Sequence, residues 1–314
     1  MRQLTKIKGD ASFRKFFRKK RENLNSIIVI SKKEKKKNLL IYDAINKILI
    51  KNKILAPNLY EESFNKNYIE IEDFGDETIF KILKKKTNKF FYFKKVIDVL
   101  SQIQKIKIRS VKNFKNQIYN VPEYSKKILI REANLFSDWY VKNNLPKKKR
   151  RRFIKKFKEI VKDLASNLKL KNEVFVHRDF HVSNLMLVNK KIGVLDSQDA
   201  LIGNKAYDLA SLIDDVRLKT SKLLKNRIYN FFVKKQKKLD KLKFKNDFDI
   251  LSVLRNLKII GIFTRLAVRD NKKKYLKLIP HSWELINMRI DKNEIFKDLK
   301  KLLIQNFKKS LNEN

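Results

Sequence analysis

The chain contains no cysteine, which excludes disulfides and thiolate metal sites. Absent disulfides fit a cytoplasmic protein, and that is the expected localisation. Long hydrophobic runs are missing too. The longest apolar stretches, such as Ile259-Ile260-Gly261-Ile262-Phe263, are bounded by Lys258 and Arg265. They fall short of the roughly 18–20 residues that a bilayer span needs. Residues Met1 to Lys8 carry no signal-peptide apolar run. No internal repeat or low-complexity linker is visible. Acidic residues are few, 33 against 77 Lys and Arg, so the net charge is +44.

That charge admits two readings. One is a polyanionic partner, nucleic acid or acidic lipid. The other is a composition drifted toward Lys, Asn, Ile and Phe, as in AT-rich genomes. Lysine is spread along the whole chain, whereas a binding face would concentrate it. Neither a specific nucleic-acid partner nor a membrane partner is therefore expected. The densest cluster, Lys147 to Arg152, follows Pro146 and precedes Phe153, Ile154, Phe157 and Ile160. Those apolar residues recur at helical spacing, so the cluster reads as the solvated start of an amphipathic helix.

What is present suffices for a globular protein. The 314 residues are 43% hydrophobic, enough for one large domain or two lobes. Up to about residue 75 the chain reads as strands with one helix. Ser26–Ile30 is a β-branched apolar run. Residues 39–49 carry a helix-period pattern that ends before Pro57. Tyr68–Glu72 alternates as a strand does, and Asp73-Phe74-Gly75-Asp76 breaks it. Helices are expected over 79–83, 90–106, 124–139, 153–168, 206–218, 222–237, 248–268 and 283–303. Between them lie a strand at 174–176 and a hairpin pairing 185–188 with 192–195. The fold class expected is α+β and two-lobed: a small β-rich lobe over 1–75 and a larger, mainly helical lobe over 76–314, with a cleft between them.

The segment Val176-His177-Arg178-Asp179-Phe180-His181-Val182-Ser183-Asn184 carries the chemistry. It reads H-R-D-x-x-x-x-N and is followed by a strand that ends in Asp196. Phosphoryl transfer is mostly positioning and charge neutralisation. A carboxylate must orient the attacking hydroxyl, and hard oxygen ligands must hold Mg²⁺ against the nucleotide phosphates. Asp179 fits the first role, and Asn184 and Asp196 fit the second. Asp179 and Asn184 could also merely cap a turn, but Asp196 arrives independently at the expected place. His177 is read as a buried hydrogen-bonding residue that shapes the loop, and Asp208 as a brace for the loop backbone. Arg178 could contact substrate or phosphate, or pair with a carboxylate. His181 reads as a loop-structure residue, and His281 and Trp283 as packing residues. After Asp196 only about ten residues precede the next helix, and no Ala-Pro-Glu follows. A protein kinase needs a long activation segment there, so a small-molecule acceptor is expected.

On these residues the chain resembles the aminoglycoside phosphotransferase/choline kinase superfamily, which has a protein-kinase-like fold. More narrowly, it is similar to the bacterial anomeric kinases of N-acetylmuramate and N-acetylglucosamine. The stretches that carry the resemblance are Gly9 to Arg14, Glu72 to Asp76, Arg131-Glu132-Ala133 with Asp138-Trp139-Tyr140, His177 to Met186, Leu195 to Ala200, Gly203, Ala206 to Leu209, and Arg255 to Phe263 with Arg265 and Arg269-Asp270. The resemblance implies ATP as donor and Mg²⁺ as cofactor. It implies that Asp179 is the catalytic base and that Asn184 and Asp196 are the metal ligands. Gly9, Asp10, Ala11 and Ser12 would cover the ATP phosphates, and Glu72, Asp73 and Phe74 would line the adenine side. The acceptor implied is the 1-hydroxyl of the amino sugar, in cell-wall recycling, on a monomeric enzyme. An aminoglycoside, choline, homoserine or another sugar is the alternative acceptor. A basic nucleic-acid- or membrane-binding protein is the distant alternative. Two departures stand out. Ser197 takes the place of the usual Phe after the metal aspartate. No strand lysine can be assigned as the phosphate-contacting cation.

Overall fold

The structure, a computed structural model, describes residues 4–7, 14–20, 25–291 and 293–312. The chain forms two compact units. The first joins Met1–Pro122 to Val174–Ile202, and the second joins Glu123–Glu173 to Gly203–Asn314.

The first unit is built on an antiparallel sheet of β1 (Leu4–Ile7), β2 (Lys15–Lys19), β3 (Ser26–Ile30), β4 (Leu59–Ser63) and β5 (Tyr68–Glu72), in the order β1-β2-β3-β5-β4. Helix α1 (Lys37–Lys51) separates β3 from β4. The register pairs Ile27 with Ile71 and Val29 with Ile69, so period-2 alternation puts all four on one face. There they pack with Leu39 and Tyr42 of α1 to form the core of the unit. The opposite face buries a charge pair. Lys19 Nζ and Ser26 Oγ each donate to the Glu70 carboxylate at 2.6 Å. Glu70 is almost fully buried, and both its oxygens are thereby satisfied.

Helices α2 (Ile79–Lys85) and α3 (Lys89–Ile103) follow, each opened by a side-chain cap: Thr78 accepts from Lys81 N and Asn88 from Phe91 N. A short hairpin, Ser110–Lys112 with Ile118–Asn120, precedes the exit at Pro122; nothing in the sequence reading anticipated it. When the chain returns, Leu185–Val188 pairs with Lys191–Val194 across a two-residue turn. Asn189 and Lys190 both have positive φ (48° and 66°), as a turn matched to the strand twist requires. Two backbone bonds tie this hairpin to the N-terminal segment, Val194 N to Leu55 O (2.8 Å) and Leu187 N to Glu77 O (2.9 Å). The hairpin thus belongs to the same compact unit as the N-terminal segment.

The second unit is helical. Lys147–Ser166 begins where the basic cluster predicts. Lys147 to Arg152 lie toward solvent, while Phe153, Phe157 and Ile160 are buried. Phe136, Tyr140, Phe153, Trp283 and Phe307 form a continuous aromatic cluster, with ring centroids 5.3–6.3 Å apart. Trp283 is thus a core residue, and His281 is buried, with Nδ1 2.7 Å from Glu284. The helix expected over 124–139 divides into Lys126–Ala133 and a π-helical turn, Phe136–Val141. The helix expected over 206–218 stops at Ile213. There the buried Asp214 carboxylate receives Arg289, Lys225 and Ser252. The helix expected over 283–303 is two, Ile279–Ile290 and Lys297–Asn312, with an intervening turn capped by Asn293. The helix expected from 248 runs from Lys241 to Val268. Among the described residues no helix is long and apolar enough to cross a membrane.

Candidate active site

The catalytic-loop residues and both expected metal ligands lie in the first unit. Strand Asn172–Val176 delivers the chain to His177. Arg178 then adopts φ 72°, a left-handed conformation that costs a non-glycine residue about 1–3 kcal/mol and is held only where its surroundings over-determine it. Here the surroundings are explicit. His177 is fully buried, and its Nε2 lies 3.0 Å from Leu195 O. A carbonyl can only accept, so Nε2 carries the proton. Burial, the largest cause, pushes the His177 pKa below its usual value, against the pull of Asp179 and Asp196. A neutral imidazole thus fixes the catalytic loop to the residue that precedes Asp196. On the other side of the kink, Arg178 reaches Asp199 at 3.5 Å.

Asp179 is left half-exposed by this turn. Asn184 Nδ2 donates to its backbone carbonyl at 3.1 Å and approaches Oδ2 at 3.4 Å. His181, nearly buried, holds Nε2 3.4 Å from Oδ1. Leu195 N donates to Asn184 O at 2.9 Å, which brings Asn184 beside Asp196. The structure therefore brings Asp179, Asn184 and Asp196 together, braced by His177. Asp196 itself sits at φ 61°, a conformation that Asp tolerates better than most residues.

The donor set fits Mg²⁺. Asn184 spends its amide nitrogen on Asp179, so the amide oxygen is not used in that contact. Asp196 adds a carboxylate that is a third exposed. Among the described residues no cluster of three or more His, Cys, Asp or Glu could hold a metal. An ion here would rest on two hard protein oxygens, completed by phosphate and water, which is the coordination Mg²⁺ prefers to an all-protein cage.

The other expected site residues are distributed differently. Gly9, Asp10, Ala11 and Ser12 lie outside the described residues. Glu72 accepts from Asn58 Nδ2 at 2.7 Å. Asp73 is held by Arg18 at 2.5 and 3.1 Å and takes Gly75 N at 2.8 Å. Phe74 is buried, and its ring lies where a Cβ on Gly193 would come within 2.7 Å of it. The glycine lets that ring rest directly on the hairpin that carries Asp196. Asp208 is fully buried in the helix Tyr207–Ile213 of the second unit.

Ser197 stood out from sequence only as a departure, and Asn46, Gln198 and Arg14 were given no role in the site. Ser197, buried in place of the usual Phe, donates to Asn46 Oδ1 of α1 at 2.6 Å, and Asn46 Nδ2 donates to Pro57 O. Arg14, just before β2, forms an ion pair with Asp196 and donates to Gln198 Oε1 at 3.0 Å. The Asp-Ser-Gln triplet thus grips α1 with one member and Arg14 with the other two. The available signal was the absence of lysine from β3, which left a phosphate-side cation to be found elsewhere.

Comparisons with known proteins point to the same class of enzyme. The model of a phosphotransferase enzyme family matches residues 90–229, a span that includes Asp179, Asn184, Asp196 and Asp208. The N-acetylmuramate/N-acetylglucosamine kinase of Pseudomonas aeruginosa is 27% identical over 307 residues, 96% of this chain and 88% of its own. Among solved structures, a choline/ethanolamine kinase family protein from Mesorhizobium loti superposes with a TM-score of 0.64 at 10% identity, covering 96% of this chain and 92% of its own. An ADP-bound aminoglycoside phosphotransferase superposes at 0.59 and 17% identity, over 90% and 94%. With these matches added to its catalytic loop, the chain is a small-molecule kinase, similar to the aminoglycoside phosphotransferases and choline kinases and with their protein-kinase-like fold.

Proposed function

We propose that the protein transfers the γ-phosphoryl group of ATP to the anomeric 1-hydroxyl of N-acetylmuramate or N-acetylglucosamine, in cell-wall recycling in the cytoplasm. The observation that carries the chemistry is the convergence of Asp179, Asn184 and Asp196 in one unit. The similarity to an amino-sugar kinase along 96% of the chain supports the choice of acceptor.

Asp179 accepts the hydrogen bond of the acceptor hydroxyl and orients its oxygen toward the γ-phosphorus. Its carboxylate is held for this by Asn184 and by the His177-braced kink at Arg178. Asn184 and Asp196 would hold Mg²⁺, which neutralises phosphate charge when bound. The Glu72 and Asp73 side chains are engaged by Asn58 and Arg18, so this segment would meet an adenine through its main chain. The Gly9–Ser12 loop would cover the phosphates, and Asp208 would brace the loop. A nucleotide lobe over 1–75, an acceptor lobe over 76–314 and a monomeric state complete the proposal.

The test is a coupled ADP-release assay with N-acetylmuramate, N-acetylglucosamine, aminoglycosides, choline, homoserine and other sugars. Turnover of an amino sugar, with the phosphate located at C1 by NMR, is expected. Turnover of another acceptor alone would sink the amino-sugar assignment.

A further inference from the structure

We propose that Arg14 is the phosphate-contacting cation of this enzyme. It pairs with Asp196, and it exchanges that partner for the phosphates of bound ATP. The inference rests on the kinase reading above and adds to it a residue role that the motifs do not supply.

A kinase of this fold needs a fixed cation against the nucleotide phosphates. In this chain β3 reads Ser26-Ile27-Ile28-Val29-Ile30 and offers none. Three other cations of the sheet and α1 are committed elsewhere. Lys19 is closed on buried Glu70, Arg18 spans Asp73 and Asp76, and Lys47 pairs with Asp43. Arg14 differs in its address. Its guanidinium contacts the Asp196 carboxylate, the group proposed to hold Mg²⁺, and its second arm is steadied by Gln198. The side chain is only 4% exposed. The guanidinium lies 5.6 Å from the ring centroid of Phe16 and 5.8 Å from that of Tyr42. Stacking of this kind pre-orders a planar fork that suits phosphate. Arg14 also directly follows the segment expected to cover the phosphates.

Charge balance gives the exchange its logic. Without metal, Asp196 would be a partly buried carboxylate with no cation, and Arg14 supplies one. Once Mg²⁺·ATP supplies a cation to Asp196 and brings phosphate anions, the guanidinium has a better partner than Asp196. The exchange moves no proton and breaks no covalent bond.

Arg14→Gln and Arg14→Lys test this through binding. ATP and adenosine affinities are measured by calorimetry with Mg²⁺ present. Divalent-cation affinity without nucleotide is measured with Mn²⁺ as a paramagnetic probe. Arg14→Gln should weaken ATP about tenfold to a hundredfold, the worth of one charge-assisted hydrogen bond, and leave adenosine unchanged. It should also tighten Mn²⁺ binding without nucleotide, because the competing cation is gone. Loss of a merely structural contact would weaken all three ligands together, and that pattern would overturn the proposal, as would wild-type ATP affinity in Arg14→Gln. Arg14→Lys keeps the charge but not the fork. It should recover part of the ATP affinity, and it carries the test if Arg14→Gln does not fold: ATP weakened with adenosine intact supports the exchange, while equal loss of both refutes it. These affinities need no turnover. Failure of the wild type on every acceptor would therefore count against the functional reading, while the binding data would still decide Arg14.

Discussion

Replacement of Asp179 by Asn tests catalysis apart from folding, because Asn keeps the shape of a half-exposed carboxylate. Two of its side-chain contacts, to Asn184 Nδ2 and His181 Nε2, are long, at 3.4 Å. Contacts of that length at an exposed carboxylate are worth about 1 kcal/mol or less. For a protein of this size that is a shift in Tm of no more than about 4 °C. Asn keeps the shape and the contact to Asn184, so the loop should stay in place. The reaction loses far more. A positioned acid–base group contributes about 10²–10⁴-fold, which at 1.36 kcal/mol per decade is about 2.7–5.4 kcal/mol of barrier. The expected result is a kcat lowered by at least two decades, with nucleotide affinity and the urea midpoint near wild type. Steady-state kinetics, calorimetry with ADP and urea unfolding measure the three quantities on one preparation. A variant that retained a tenth of wild-type kcat would refute the role assigned to Asp179. A variant that unfolded early would refute the separation of catalysis from folding at this position.

Two further outcomes follow from buried features. A Cβ at Gly261 would lie 2.3 Å from the backbone carbonyl of Leu135 and 2.6 Å from Phe136 N. Ordinarily Ala would gain about 1 kcal/mol over Gly within a helix. Here the obstacle is backbone, so Gly261→Ala should lose a net ~1–3 kcal/mol by urea midpoint at unchanged m, and an increase in stability would contradict the close approach. Burial lowers the pKa values of His177 and His281 from the usual 6.5. The unfolded chain therefore binds more protons below that pH. Their contribution to stability is complete above about pH 6.5 and is lost as pH falls toward the lowered folded values. The urea midpoint should drop between pH 7.5 and 5.5, and a flat profile would place both imidazoles in solvent.

How much of this was legible in the sequence depended on the range of the interactions involved. Asp179, Asn184 and Asp196 could be read because the loop and hairpin that unite them are local, within 18 residues. The strands Ser26–Ile30 and Tyr68–Glu72 could be read because each carries its own alternation. The helix ends could not, where tertiary contacts decide them. At Asp214 two partners on distant segments, Ser252 and Arg289, join Lys225 on the carboxylate. Near Gly261 the fit to Leu135 is a relation between segments 126 residues apart. Arg14 was hidden for the same reason. Its contact with Asp196 spans 182 residues, and no local pattern in the segment from Gly9 to Phe16 reports it.

The same local reasoning bears on what the enzyme accepts. Residues 197–206 follow Asp196 and precede the helix at Tyr207, and nearly all of them are used. Ser197–Asp199 form a single 3-10 turn, and Leu201–Asn204 form a strand. Within that turn Ser197 and Gln198 are buried and hydrogen-bonded, to Asn46 and Arg14. Asn204 is buried too, and its amide donates to Asp247 at 2.6 Å. An extended peptide substrate needs backbone left open to pair with it, or a long segment free to be ordered around it. This stretch has neither, because its polar groups close on the protein itself. The departure at Ser197 contributes directly: a hydroxyl that reaches α1 shortens the tether to a single 2.6 Å bond. The connection from Asp196 onward thus serves to hold Asp196 and α1 in register, which leaves recognition of a small acceptor to other parts of the chain.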